Sequence, residues 1–238
     1  MGTVSIIALD GPAASGKTTV GEALARRLGY LLFDTGVMYR AATLMALRQG
    51  VAVEDEAAVT ALAEQMVIDV CPPTVADGRL YTVLVDGQDV TYAIRGPEVD
   101  AGVSPVSAYP GVRAALTAQQ RRIGSRGKVV MVGRDIGTVV LPNADLKVYL
   151  DASVRERARR RWLDSQARGE SLALGEVLAA LVRRDQIDSE REMAPLRPAE
   201  DAMLIDSTNL TVGQVLAQIL QEIGRRQATG CSSPEGLA

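Results

Sequence analysis

Residues 11–19, Gly-Pro-Ala-Ala-Ser-Gly-Lys-Thr-Thr, are the first place in the chain where residue types and spacing allow chemistry. Gly11-x-x-x-x-Gly16-Lys17-Thr18 fits the Walker A form, and its setting agrees: an apolar run precedes it, and Val20, Ala23, Leu24 and Leu28 follow at helical spacing, closed by Gly29. The glycines let successive backbone N–H groups of Gly11, Pro12-flanked Ala13 and Ala14, Ser15 and Gly16 point into one concavity at a helix N-terminus, where the dipole favours anions. Lys17 supplies a fixed cation for the outer phosphates, and the Thr18 hydroxyl, followed by Thr19, is placed to ligate Mg²⁺. The loop reads as a cradle for a nucleoside triphosphate. Such cradles serve GTPases, motor ATPases and small-molecule kinases alike, so other residues must decide what happens to the phosphate.

The guanine-reading Asn-Lys-x-Asp is absent, and arginines stand where two polyphosphates would need them: Arg40, Arg134, Arg157, Arg161, Arg168, Arg184 and Arg191. A phosphoryl-transfer enzyme must bring donor and acceptor phosphates together against their repulsion and then stabilise charge on the moving group. Arginine's planar fork suits that task better than lysine's point charge. Any one of them, taken alone, serves equally well as a solvated helix-face residue.

The elements that must position these groups follow from the hydrophobic pattern. Apolar runs at 4–9, 31–33, 129–132, 146–150 and 202–205 alternate with helical patterns near 17–28, 36–49, 153–169, 173–188 and 211–226. Short apolar runs separated by helices predict a buried parallel sheet in a doubly wound α/β fold. Between the second and third runs lies a longer stretch. A helix is expected over 54–66, then antiparallel β structure with a strand over 80–85 and turns at Asp77-Gly78 and Asp86-Gly87. Pro97 and Pro110 mark the starts of two more helices. Residues 66–100 are read as a small β-rich lobe able to clamp a second substrate, residues 1–65 and 101–226 as the core, and 227–238 as a disordered tail.

With 238 residues, net charge −3, no histidine and two distant cysteines, Cys71 and Cys231, the chain suits neither a generic nucleic-acid surface nor a conventional zinc site. No run approaches the ~18 apolar residues of a membrane span, and no secretory signal is evident. A cytoplasmic monomer without nucleic-acid or membrane partners is expected.

Four blocks are more discriminating than the loop: "DTGVMYR", "SPVSAYPGVR", "GRDIGTVVLPNADLKVYLDAS" and "RRDQIDSEREMAPLRPAEDAMLIDST". In order and spacing they resemble those of bacterial cytidylate kinases, over residues 3 to about 226. The resemblance implies a P-loop NTPase fold with a five-stranded parallel sheet flanked by helices, a β-rich monophosphate-binding insert and a short lid near 157–170. It implies ATP-dependent phosphorylation of CMP and dCMP with Mg²⁺, and three groups of residues. Ser104, Arg113 and Asp135 would lie around the base, Arg184 and Asp188 around the ribose, and Thr35, Arg40, Arg134 and Arg191 around the acceptor phosphate. Lys17, Arg134, Arg191 and the lid residues Arg157 and Arg161 would stabilise the transferring group. Asp135 can accept from the cytosine N4 amine while Arg113 donates to the N3/O2 edge; uracil reverses that polarity, and buried hydrogen bonds reject such mismatches by up to ~10⁴–10⁵. Arg184, Asp188 and Arg191 share one helix face, although Arg184–Asp188 alone is also an ordinary helix salt bridge. The acceptor is an already ionised phosphate oxygen, so no potent base is required. Two positions depart from the family pattern: Val132 stands where an acidic residue is frequent, and Thr35 where serine is. Competing readings are another nucleoside monophosphate or small-metabolite P-loop kinase, and a nucleotide-dependent binding module.

Overall fold

A strand buried on both faces must be apolar along its length, and Ile7, Ala8 and Leu9 are fully buried in β1 (Ile6–Asp10), the centre of the molecule. The computed structural model describes residues 4–229 except 170 and 192. After β1 come α1 (Lys17–Leu28), β2 (Leu31–Asp34), α2 (Gly36–Arg48), α3 (Glu56–Gln65), β3 (Ile68–Cys71), β4 (Thr82–Val85) and β5 (Gln88–Asp89). The chain continues through α4 (Pro97–Val106), α5 (Pro110–Gly124), β6 (Val129–Gly133), a helical turn Ile136–Val140, and β7 (Leu146–Asp151). It closes with α6 (Val154–Ala167), α7 (Leu174–Glu190), β8 (Met203–Asp206) and α8 (Val212–Thr229).

Each of the five apolar runs is a strand of one parallel sheet in the order β2-β6-β1-β7-β8. β1 is flanked by strands that come much later in the chain, so the crevice at its C-terminal end is a topological switch point, the place where open α/β sheets bind ligands. The core around it is aliphatic apart from Phe33: with it, Leu24, Met38, Met131 and Leu146 are among the largest fully buried side chains. The fold is the P-loop α/β architecture expected.

The second sheet, β3-β4-β5, is antiparallel. Its β4–β5 turn is Asp86-Gly87, at φ 50° and 81°, the left-handed pair that a two-residue hairpin of this twist requires. The expected strand over 80–85 is shortened to β4. Its partner β3 ends at Cys71, paired with Thr82, and the next two residues, Pro72 and Pro73, have no N–H to extend the ladder. Arg79 locks the following loop through Asp77 (2.6 Å), Asp89 and the Tyr92 ring.

The helix expected near 153–169 is α6, capped by Ser153, whose hydroxyl accepts from the Glu156 amide at 3.3 Å. The C-terminal boundary differs from expectation. Residues 227–229 belong to α8 rather than to a tail: Val215, Ile219 and Ile223 seat the helix on the core, and Arg226 donates to the Asp145 carbonyl (2.6 Å) near its end. The rest of the expected tail, 230–238, lies outside the described residues. Among the described residues no helix is long and apolar enough to cross a membrane.

Candidate active site

β1 delivers its chain into the loop at Gly11, whose φ of 147° suits glycine. A Cβ there would sit 2.0 Å from the Leu150 carbonyl oxygen, so no other residue fits between β1 and β7. Gly16, at φ 94°, starts α1 without any side-chain cap. The first amides of the helix are thus left to a ligand rather than claimed by a neighbour, which fits an anion. Lys17 is buried and its amine donates to the Pro12 carbonyl (2.5 Å) and Ser15 Oγ (3.3 Å), curling over the loop. Burial, and then the nearby Arg134 charge, hold its pKa well below the ordinary lysine value. Thr18 Oγ1 donates to Asp34 Oδ2 at 3.0 Å, while Thr19 is exposed.

The loop opens onto a cavity of about 910 Å³. Across it, Arg113 from α5 and Asp135, just after β6, form a buried pair at 2.6 Å, with side chains only 7% and 9% exposed. Arg113 also donates to the Ser107 carbonyl (3.3 Å) and lies over the Tyr39 ring. Asp188 of α7 gathers three arginines: Arg134 Nε at 2.9 Å, Arg191 at 3.8 Å and Arg184 at 4.0 Å. Arg134 also donates to the Gly11 carbonyl (3.2 Å), linking the loop to the far wall. Arg191 Nε is buried without a hydrogen-bond partner among the described residues, an unused donor beside the cavity it lines. Thr35 is buried and its hydroxyl donates to the Val132 carbonyl (3.0 Å); Arg40 donates to the Ile94 carbonyl (3.1 Å) and pairs with Asp100 (2.5 Å).

Most of the sequence-predicted residues therefore converge on one space. Ser104 does not: it is exposed on α4, and Ser107, one turn on, lines the cavity instead. Arg157 is also placed differently from a free phosphate-seeking side chain. It is buried, donates to the Ala152 (2.9 Å) and Ala13 (3.2 Å) carbonyls, and forks onto both Asp185 oxygens (3.1 and 2.6 Å). Its donors are committed to holding the phosphate loop, so its present contribution is to position Ala13. Arg161, next along the same helix, lines the cavity.

A family model described as cytidylate kinase matches residues 7–225. The chain belongs to the cytidylate kinase family. It is 55% identical over 214 residues to the cytidylate kinase of Chloroflexus aggregans, covering 90% of this chain and 91% of that one. It is 51% identical over 227 residues to that of Roseiflexus castenholzii, covering 95% and 96%. Among solved structures, an uncharacterized protein from Eubacterium ventriosum shares the fold at a TM-score of 0.52 and 11% identity, covering 92% of this chain and 98% of that one.

In this chain, several site residues escape a reading of the sequence. Asp34 is the carboxylate at the Thr18 corner; Val132, on the adjacent strand, is buried and packs toward Gly21. Arg160 donates to the Ser15 carbonyl (3.3 Å) and to Ser207 Oγ (3.1 Å) and carbonyl (2.6 Å), bracing the loop from β8's side. Asp10 is buried beside Gly11, and burial pushes its pKa up to about 6 against the lowering effect of two amide donors. A carboxylate at the C-terminal end of a parallel strand, as at Asp10 and Asp34, is the signal that would have found two of them.

Proposed function

We propose that this protein transfers the γ-phosphoryl group of ATP, with Mg²⁺, to CMP or dCMP, giving ADP and CDP or dCDP. The observation that carries this reading is that the phosphate loop and the buried Arg113–Asp135 pair open onto a single cavity. The uncapped amides at the start of α1 and the Lys17 amine receive the donor phosphates. The donor set at Thr18 and Asp34, a hydroxyl and a carboxylate, suits a hard cation with oxygen ligands. Thr18 would hold Mg²⁺, with Asp34 orienting the hydroxyl; the ion supplies charge neutralisation of the donor oxygens.

On the acceptor side, Asp135 keeps an oxygen beyond its bond to Arg113, to accept from the cytosine amine, while Arg113 presents donors to the ring edge. Both groups are desolvated, so a base of reversed polarity leaves two buried partners unmatched. Asp188, with Arg184 beside it, lies toward the sugar. Arg40, Arg134, Arg191 and Thr35 surround the acceptor phosphate, and the unused Nε of Arg191 supports that assignment. Lys17, Arg134, Arg191 and Arg161 then stabilise the charge spread over the transferring group. Closure of the α6–α7 segment over the cavity excludes water and brings Arg161 inward. Residues 66–100 form the part of the monophosphate lobe that holds Arg40 through Ile94.

The experiment is an ADP-release assay with CMP, dCMP, UMP, AMP and shikimate as acceptors. CMP and dCMP give the highest kcat/KM; a preference for UMP over CMP would overturn the base-reading assignment.

A further inference from the structure

Asp10 ends β1 immediately before the phosphate loop, only 5% exposed. Its Oδ1 accepts the Ile136 amide at 2.8 Å and its Oδ2 the Gly137 amide at 2.7 Å. These are the two backbone donors that directly follow Asp135. From the other side, the carbonyl of Gly11 accepts from Arg134 at 3.2 Å. Two consecutive residues at the mouth of the donor loop thus grip the segment 134–137 at both ends.

The fit is close by construction. A Cβ on residue 137 would lie 3.1 Å from Lys147 Cδ and 3.4 Å from Asp10 Oδ2, so glycine lets the amide approach the carboxylate. Strand register puts Asp10 beside Gly133 on β6 and Tyr149 on β7, which fixes the carboxylate's origin. Burial, and to a smaller extent repulsion by Asp135, disfavour the Asp10 charge, while the two amide hydrogen bonds and Lys17 act in the opposite direction.

We propose that Asp10 is a positioning residue for base selection: by holding the Ile136 and Gly137 amides, it sets Asp135 and Arg134 against the acceptor nucleotide. The proposal rests on the base-reading role given to Asp135 above. Asp10→Asn replaces one accepting oxygen with an amine that faces an amide N–H, so the grip is lost at one of its two points.

Steady-state kinetics of the full chain test it, with wild type, Asp10→Asn, Asp135→Ala and the double variant, varying CMP, UMP and ATP in turn. Asp10→Asn is expected to raise KM for CMP at least tenfold and to lower the CMP-to-UMP ratio of kcat/KM at least tenfold, with KM for ATP moving less than threefold. In the Asp135→Ala background the same change alters the ratio less than threefold. An Asp10→Asn enzyme whose CMP KM and ratio move less than threefold, beside an Asp135→Ala enzyme whose ratio collapses, overturns the clamp alone. A purely structural role is the reading if only the folded fraction or kcat falls, and that also overturns it. An Asp135→Ala enzyme with an intact ratio overturns the base reading itself. If Asp10→Asn does not fold, amide hydrogen exchange of the wild type decides. Ile136 and Gly137 protected before CMP is added support the clamp; protection that appears only with CMP overturns it.

Discussion

At the scale of single residues, burial decides what each charge can do. Asp135→Ala removes the partner of a buried guanidinium. It should lower kcat/KM for CMP by about 10²–10³ while ATP affinity stays within about twofold, read by isotherms for each nucleotide. Left unpaired, Arg113 should also destabilise the fold by about 3–5 kcal/mol, visible as a lower urea midpoint. Asp188→Ala removes the carboxylate that three arginines share, and KM for both CMP and dCMP should rise about tenfold or more; unchanged kinetics with either would return it to a scaffold role. Asp10 gives a pH signature. Its pKa rises from 3.8 to about 6 on folding, so the folded state holds the proton more tightly. Stability from this group is full below about pH 4, lost as pH climbs through about 6, and amounts to about 3 kcal/mol. The stability gap between wild type and Asp10→Asn should therefore shift in favour of the variant from pH 5 to pH 8, in paired urea titrations. The charges acting on Asp10 in this window are Asp135 and Lys17.

At the scale of elements, what braces the phosphate loop is separable from what reads the acceptor. Arg160 holds the Ser15 carbonyl from α6, far from Arg113 and Asp135 in the chain. Arg160→Ala should raise KM for ATP about tenfold and leave KM for CMP within about twofold, in the same ADP-release assay. The elements themselves were legible because a parallel strand buried on both faces has to be apolar, as residues 6–9 and 129–132 are. The site was legible only where a motif fixes spacing, as at Gly11–Thr18, or where the family resemblance supplied it, as at Arg113 and Asp135. Asp10, Arg160 and Asp185 work through partners 126, 145 and 28 residues away, and no local pattern encodes such contacts. Arg157 shows the converse: its residue type promised phosphate contact, but a carboxylate one helix away, on α7, takes its fork. Strand and helix ends failed for local reasons: Pro72-Pro73 stops one ladder, and Gln227, Ala228 and Thr229 include no proline or glycine to end α8 at 226.

At the scale of the whole molecule, the donor loop sits on the large sheet while α5 ties the acceptor wall to the small one. Gln119 accepts from the Ile68 amide (2.7 Å) and donates to the Met66 carbonyl (3.0 Å), and Arg122 donates to the Ile68 carbonyl (2.7 Å). Helix α5, which carries Arg113, is thereby fastened to the small sheet. The chain's one tryptophan, Trp162, donates from its indole to the Leu172 carbonyl (3.1 Å) across the α6–α7 connection. Its emission should shift when ATP and CMP bind together and change little with CMP alone, in a fluorescence titration. A flat response to both nucleotides would mean that the α6–α7 segment stays where it is during turnover.

The small sheet has a further property. β5 is two polar residues long, with Asp89 tied back to Arg79. The opposite edge, at β3, has the Ile68 amide and carbonyl occupied by Gln119 and Arg122. An antiparallel sheet with a row of unpaired backbone groups would be a template for another chain to add a strand. Here one margin is too short and charged to extend, and the other is occupied by side chains at Ile68. The small sheet thus offers no free margin at Ile68 or along β5 for a second copy to pair with.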